Sequence, residues 1–379
     1  MATNKILRKK PVDKKFLGIT LALLVVGVLM YISSSLPIYA SDSSVFWSLV
    51  SRHIGLGVVG GLTAMYIVSN IDYQIWKRYA AVFFVISLIA TFLVFVPGIG
   101  FEHGGAHRWI SLGFVTFQPS ELLKLGVIVI LSAWFAKYAD KTNTLRYGLL
   151  PFLAIIALAF APLVKQPDTG TIALIGMVGF AIFFLRGARW LHVGALVLIV
   201  GVFGTIYTVH NPHVIERLQT YRDVTSDPYG SSYQIRQSKI AIGAGKLYGR
   251  GLGQSVHKFG PYLPESNSDS IFAIFAEELG FIGSLILVVM YTIFGLLGAR
   301  IARLAPTTFG QNIVIGIVLL VTIQVFFNIA AISGLAPLDG MPLIFMSHGG
   351  TALFLTLASL GVVLNISRFE RTSTASKEM

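Results

Sequence analysis

The chain is written as long apolar blocks separated by shorter polar stretches. The blocks run Phe16–Tyr39, Phe46–Ser69, Tyr79–Val96, Pro119–Ala136, Gly148–Val164, Thr169–Leu185, Trp190–Val209, Ser270–Leu297, Ile313–Ser333 and Gly349–Ile366. Each is near the ~20 residues with which a helix crosses a bilayer. Gly and Pro recur inside them, as membrane helices tolerate. The pattern predicts an all-α polytopic integral membrane protein with about ten transmembrane helices. No fixed-period repeat is visible. Ile38-Tyr39-Ala40 has the look of a signal-peptidase site, but its block exceeds the roughly 7–15 residues of a signal-peptide core, so the block is expected to stay as a span.

Two polar stretches are long, 97–118 and 210–268. The expected layout is a basic tail over 1–15, a single ten-helix membrane domain over 16–367 and a short tail over 368–379. Loops beyond about 15 residues are usually functional or disordered. Within the second loop, Tyr233–Gly243 mixes apolar and basic positions. It suits either a short helix in the membrane interface or one packed on the bundle.

Composition agrees with the blocks. The chain is 55% hydrophobic and 12% charged, against about 25% charged for a soluble domain. The absence of Cys removes disulfides, thiol catalysis and Cys-ligated metal centres. The net charge of +12 suggests nucleic acid at first sight, but its placement follows topology. With the N-terminus inside, 18 of the 29 Lys and Arg fall on the inner side and seven of the other 11 lie in the loop 210–268. Long loops translocate largely regardless of charge. Both termini are therefore expected in the cytoplasm, with the two long loops outside.

Candidate chemistry clusters at the predicted outer surface. Asp269 stands where the apolar block after the second loop begins. It is either a helix cap, shared with Ser266, Asn267 or Ser268, or a base at the membrane surface. Pro119 suits the first position of a helix. Glu121 and Lys124, three residues apart, can pair on one face. They are either a structural ion pair or a cation held ready for an anionic headgroup. Arg108 and Trp109 lie in the first loop, Trp109 as an interface anchor by default. Lys165-Gln166-Pro167-Asp168 is a tight turn in which Asp168 can cap the next helix, while Lys165 can add to a basic pocket. Gly243–Gly245 and Gly249–Gly253 look like phosphate-cradling loops, with Lys239, Lys246 and Arg250 beside them, although no strand precedes them as a dinucleotide fingerprint requires. His103 and His107 have ligand spacing, but Gly104 and Gly105 argue against a helix between them. His348 reads as a hydrogen-bonded helix-entry residue.

Four stretches together resemble the SEDS family of bacterial cell-wall polymerases. They are Arg108-Trp109 with Phe117–Lys124; Gln166–Gly170; Gln237–Gly243 with Gly249–Gly253; and Leu263–Glu265 through Asp269 to Glu277–Gly280. Gly251–Lys258 and Leu364–Arg368 look closer to the division branch, FtsW, than to the elongation branch, RodA. The chain departs from the usual pattern at Asn267-Ser268, commonly His-Thr, and at His348, commonly Tyr.

The resemblance implies an inverting peptidoglycan glycosyltransferase of the cytoplasmic membrane that polymerises lipid II at the outer face. The family's essential loop aspartate falls on Asp269, its basic and acidic positions in the fourth span on Lys124 and Glu121, and its loop arginine on Arg108. Lys239, Arg250 and Lys165 are further candidates for binding substrate. No tightly bound cofactor is implied, though a divalent cation (Mg or Mn) could assist. A single-span class B penicillin-binding transpeptidase, with other divisome or elongasome proteins, is the implied partner, and nucleic acid is not. Two other classes stay open: a flippase or transporter of lipid-linked precursors, and a non-catalytic scaffold for a transpeptidase.

Overall fold

A computed structural model describes residues 10–103, 106–111, 113, 116–222, 231–259, 263, 267–338 and 340–369. Most of the basic tail, Pro261, Pro264 and Asp339 fall outside these residues.

All ten apolar blocks are helical. They form α1 (Lys14–Ser41), α2 (Ser43–Asn70), α4 (Ala80–Phe95), α5 (Pro119–Lys137), α6 (Leu145–Lys165), α7 (Thr169–Leu185), α8 (Trp190–His210), α11 (Ile271–Leu304), α12 (Thr308–Ile332) and α13 (Gly350–Ser367). Among the described residues eight of these are long and apolar enough to cross a membrane, while α4 and α7 are shorter. Helix α3 (Gln74–Arg78) is a short connection, and α9 (Pro212–Arg222) and α10 (Ser231–Ala244) lie in the second long loop. The first long loop departs from the all-α expectation. It folds as antiparallel strands β1 (Gly100–His103), β2 (Ala106–Ser111) and β3 (Thr116–Phe117), with Phe101 opposite Trp109 and Ile110 opposite Phe117. Strand pairing satisfies the backbone groups of this loop in place of helical hydrogen bonds.

Helices α5 and α12 form the centre. Their buried faces meet through Leu123, Val127, Leu131, Ile313, Ile317 and Val321, in one continuous core. Close approach relies on small residues: a Cβ at Gly316 would lie 2.4 Å from Ile128, and one at Gly361 would lie 2.6 Å from the Met65 carbonyl. Helix α8 is peripheral, burying only His192 and Leu196. Helix α10 packs on the bundle with Ile235, Ser238 and Ala241 buried, which favours the packed alternative for Tyr233–Gly243.

Helix α11 is broken at Gly280, where φ is 69° and ψ −167°. A break in a spanning helix frees backbone groups that lipid cannot satisfy. Here the glycine-rich segment fills that role. Phe281 and Ile282 donate to the carbonyls of Lys246 and Leu247 at 2.9 and 3.1 Å, while Arg250 and Gly251 donate to those of Glu277 and Glu278 at 3.0 and 2.9 Å. Gly249 adopts φ +79°, and a Cβ there would lie 2.1 Å from the Glu278 carbonyl. Only glycine combines that φ with that contact. The expected phosphate cradle is therefore a plug for a helix break: the N–H groups of Gly245, Gly249, Arg250 and Gly251 already face carbonyls of the same chain.

Candidate active site

The seam ahead of α11 is shaped by its carbonyls. Asn267, Ser268 and Asp269 each have their backbone oxygen held from another element. His348 N–H donates to Asn267 at 2.8 Å, Ser347 Oγ to Ser268 at 2.7 Å, and Asn328 Nδ2 to Asp269 at 3.0 Å. The result is a short irregular segment fixed in place without helical hydrogen bonding. Asp269 does not cap the helix. The N-cap position falls on Ser270, with no side-chain cap bond. The Asp269 carboxylate is half-buried. Oδ1 accepts from Ser268 Oγ at 3.1 Å, and a Cβ at Gly340 would lie 3.3 Å from Oδ2.

Asn328, which holds the Asp269 carbonyl, lies one helical turn from Gln324, which meets the first predicted cation. Asn328 and Gln324 are four residues apart and share a face of α12. Asn328 also donates to the Met341 carbonyl at 2.7 Å, and Gln324 Nε2 to that of Pro342 at 3.0 Å. Lys124 donates to Gln324 Oε1 at 3.2 Å and to Glu121 Oε1 at 2.8 Å. Lys124 is only 3% exposed. Its charge is balanced by Glu121, as an ammonium in lipid requires. Two hydrogen-bonded groups thus lie one turn apart on α12: Asn328 with the Asp269 and Met341 carbonyls, and Gln324 with Lys124, Glu121 and the Pro342 carbonyl.

The other predicted residues lie elsewhere or do structural work. Arg108, on β2, donates through Nε to the Gln166 carbonyl at 3.0 Å and through Nη2 to that of Pro167 at 2.6 Å. It braces the turn before α7. Asp168 caps α7, accepting from Thr171 N–H at 3.2 Å. Lys165 is exposed, with its ammonium 5.6 Å from the Phe95 ring centre. Lys239 is exposed, and its head lies against Gly334 at the end of α12. Arg250 pairs with Glu277 at 3.3 Å, on the plug rather than beside Lys124. His107 is exposed, and the side chain of His103 lies outside the described residues. No three His, Asp or Glu side chains converge to hold a metal ion among the described residues.

Sequence reasoning missed a second polar centre. Glu277 and Glu278 are fully buried. Glu278 accepts from Lys258 Nζ at 2.7 Å, from Ser33 Oγ at 2.7 and 2.8 Å, and from Ser255 N–H at 3.4 Å. Glu277 accepts from Ser255 Oγ at 2.6 Å and Val256 N–H at 3.3 Å, and meets His257 Nδ1 at 3.0 Å. A carboxylate pair inside an apolar block was the available signal. Asn328 and Gln324, two amides one turn apart in an apolar helix, were another.

Relatives match the whole length. The chain is 38% identical to the stage V sporulation protein E of Bacillus subtilis, over 96% of this chain and 99% of that one. It is 34% identical to the peptidoglycan glycosyltransferase MrdB of Escherichia coli, over 93% of this chain and 94% of that one. Its fold is that of a solved chain from a peptidoglycan synthase complex coordinating polymerization and crosslinking, with TM-score 0.77 and 24% identity over 94% of this chain and 98% of that one. Overall identity does not rank the branches, so the likeness to FtsW rests on the short motifs alone. The sequence model described as cell cycle protein, FtsW/RodA/SpoVE, matches residues 14–372, and the chain belongs to that family.

Proposed function

We infer that this chain is a peptidoglycan glycosyltransferase, a multi-pass protein of the inner membrane that polymerises lipid II into glycan strands. The observation that carries this is the end-to-end similarity to a peptidoglycan glycosyltransferase at 34% identity. The site beside it has the parts the reaction needs. A sugar hydroxyl must lose a proton, the anomeric carbon must be attacked, and the lipid pyrophosphate must leave. Asp269, half-buried at the outer end of α11, takes the proton from the acceptor hydroxyl as general base. The new bond forms at the anomeric carbon as the bond to the pyrophosphate breaks. With an α-linked donor and a β-linked product, a single displacement inverts the centre, so one carboxylate suffices. Lys124, paired with Glu121 and held by Gln324, stabilises the pyrophosphate as it departs. Arg108 contributes by holding the 165–168 turn in place. The reaction faces the outside, with both termini in the cytoplasm, and a single-span penicillin-binding transpeptidase cross-links the strands.

The helix break at Gly280, with two buried carboxylates, is the feature that favours the transporter alternative, since transporters bind ions and substrates at such breaks. Here every carboxylate oxygen at the break already has donors from the chain itself. The test is polymerisation of lipid II by the purified protein, alone and with a transpeptidase partner. Asp269→Asn is expected to lower the rate by about 10²–10⁴-fold. An Asp269→Asn protein polymerising at the wild-type rate would remove the base assignment.

A further inference from the structure

The loop that fixes the seam ends in a titratable ring. His348 N–H holds the Asn267 carbonyl, and the preceding Ser347 holds that of Ser268. The His348 ring reaches the other way. Its Nδ1 lies 2.9 Å from the hydroxyl of Tyr31 on α1. Tyr31 is 1% exposed, and its ring stacks on His53 of α2 at 3.9 Å and 21°. His53 is 2% exposed, neither of its ring nitrogens has a hydrogen-bond partner, and it opens a π-helical turn, His53–Gly60. The backbone of α2 presses on α13 at this level: a Cβ at Gly57 would lie 3.2 Å from Gly350. The Tyr31–His348 hydrogen bond therefore joins the stacked rings on α1 and α2 to the loop that carries two of the three carbonyl clamps.

That bond has a direction. A neutral imidazole with a bare Nδ1 accepts from the Tyr31 hydroxyl. Once Nδ1 is protonated both ring nitrogens donate, and the tyrosine hydroxyl must turn to accept instead. His348 is exposed, so protons reach it from the water side. Among the described residues, Tyr31 on α1, His53 with its neighbour Arg52 on α2, and Asp269 on the seam are ionisable groups near it, and Tyr291 on α11 donates to the Ile344 carbonyl of the same loop at 2.6 Å. The described part of the loop, 340–348, and α13 carry no other; Asp339 lies outside the described residues.

We propose that His348 is a positioning residue for Asp269, and that the Tyr31–His348 hydrogen bond makes the placement of the acid depend on whether His348 carries a proton. Protonation reverses the bond, loosens the 347–348 clamp and moves the carboxylate off its working position. A displacement of 1 Å at a reacting group can cost about 100-fold in rate, so a small movement of the clamp is enough. This proposal rests on Asp269 being the acid that acts.

The test is a pH series of lipid II polymerisation, with kcat and KM measured for the full-length protein. Wild type is expected to lose rate as pH falls through the imidazole range, between about pH 8 and 5. In His348→Asn the amide oxygen takes the place of Nδ1 as an acceptor that does not titrate. It is expected to keep most of the rate at pH 8 and to lack that acid limb. His348→Ala and Tyr31→Phe break the link, and each is expected to lower kcat about tenfold at pH 8 with KM changed less than about twofold. Thermal midpoints accompany each variant; should His348→Ala or Tyr31→Phe fail to fold, the His348→Asn profile decides alone. A His348→Asn profile with the wild-type acid limb would overturn the proposal, as would wild-type kcat in folded His348→Ala and Tyr31→Phe. Failure of the catalytic reading is separate: it would show as full activity in Asp269→Asn, whatever the His348 variants do.

Discussion

Lys258–Glu278 and Lys124–Glu121 are both lysine–glutamate pairs, at 2.7 and 2.8 Å. Their surroundings differ. The first is closed: both side chains are fully buried, and Ser33 and Ser255 complete the carboxylate's shell. The second is slightly open, with Glu121 11% exposed and the lysine shared with Gln324. A closed pair whose every acceptor is satisfied fixes structure. It ties the break in α11 both to Ser33 on α1, 245 residues away in sequence, and to Ser255 and Lys258 just after the plug. On the proposed function, a pair with an exposed edge retains a cation that can be shared with a substrate. On that reading, two chemically identical pairs take different roles because one shell is complete and the other is not.

The comparison breaks first on the rates. Lys124→Met is expected to lower polymerisation on the order of 10²-fold with only a modest fall in thermal midpoint, because Glu121 can turn to solvent. A Lys124→Met protein with normal kcat would place both pairs in the structural class. Next, Lys258→Met strands a fully buried carboxylate and should destabilise the protein by about 3–5 kcal/mol, read by thermal unfolding in detergent. Adding Glu278→Gln removes the stranded charge and should restore more than half of that loss. A double variant as unstable as the single one would show that packing, rather than charge, sets the cost. Gly249→Ala comes third. It forces a Cβ against the Glu278 carbonyl at a left-handed φ, and should destabilise by about 1–3 kcal/mol, with activity falling only as the plug loosens.

The smallest effect is expected at a carboxylate outside both pairs. Asp42 caps α2 from the solvent. Its pKa is lowered first by the Ser44 hydroxyl at 2.6 Å and then by the Val45 and Ser44 N–H groups. Because the folded value lies below the unfolded one, its contribution is present above the unfolded value, ordinarily ~3.9, and is lost as pH falls through the folded one. Thermal midpoints should therefore fall slightly on acidification below that point, and Asp42→Asn should flatten the slope. An unchanged slope would sink the assignment.

Asp168 and the Glu121–Lys124 pair were legible in the sequence because their partners lie within four residues. Asp269 was legible as an acid at a boundary, though its freedom from capping was not. Arg108 and Arg250 were both candidates for binding substrate, and each meets groups of the chain itself, one the carbonyls of Gln166 and Pro167, the other Glu277. Nothing local in the sequence announces either partner.

What the sequence determined by itself is what short-range spacing can encode: the ten helical blocks, the polar seams between them, a capping aspartate, and an ion pair three residues apart. What only the tertiary structure decided depends on helices meeting across the bundle. It made a glycine-rich stretch the plug of a broken helix, set Ser33 on Glu278 and Tyr31 on His348, and clamped three successive carbonyls ahead of α11. The physical reason is that buried polar groups must find partners. Within a turn the chain's own periodicity supplies them; beyond it, only packing brings them within reach.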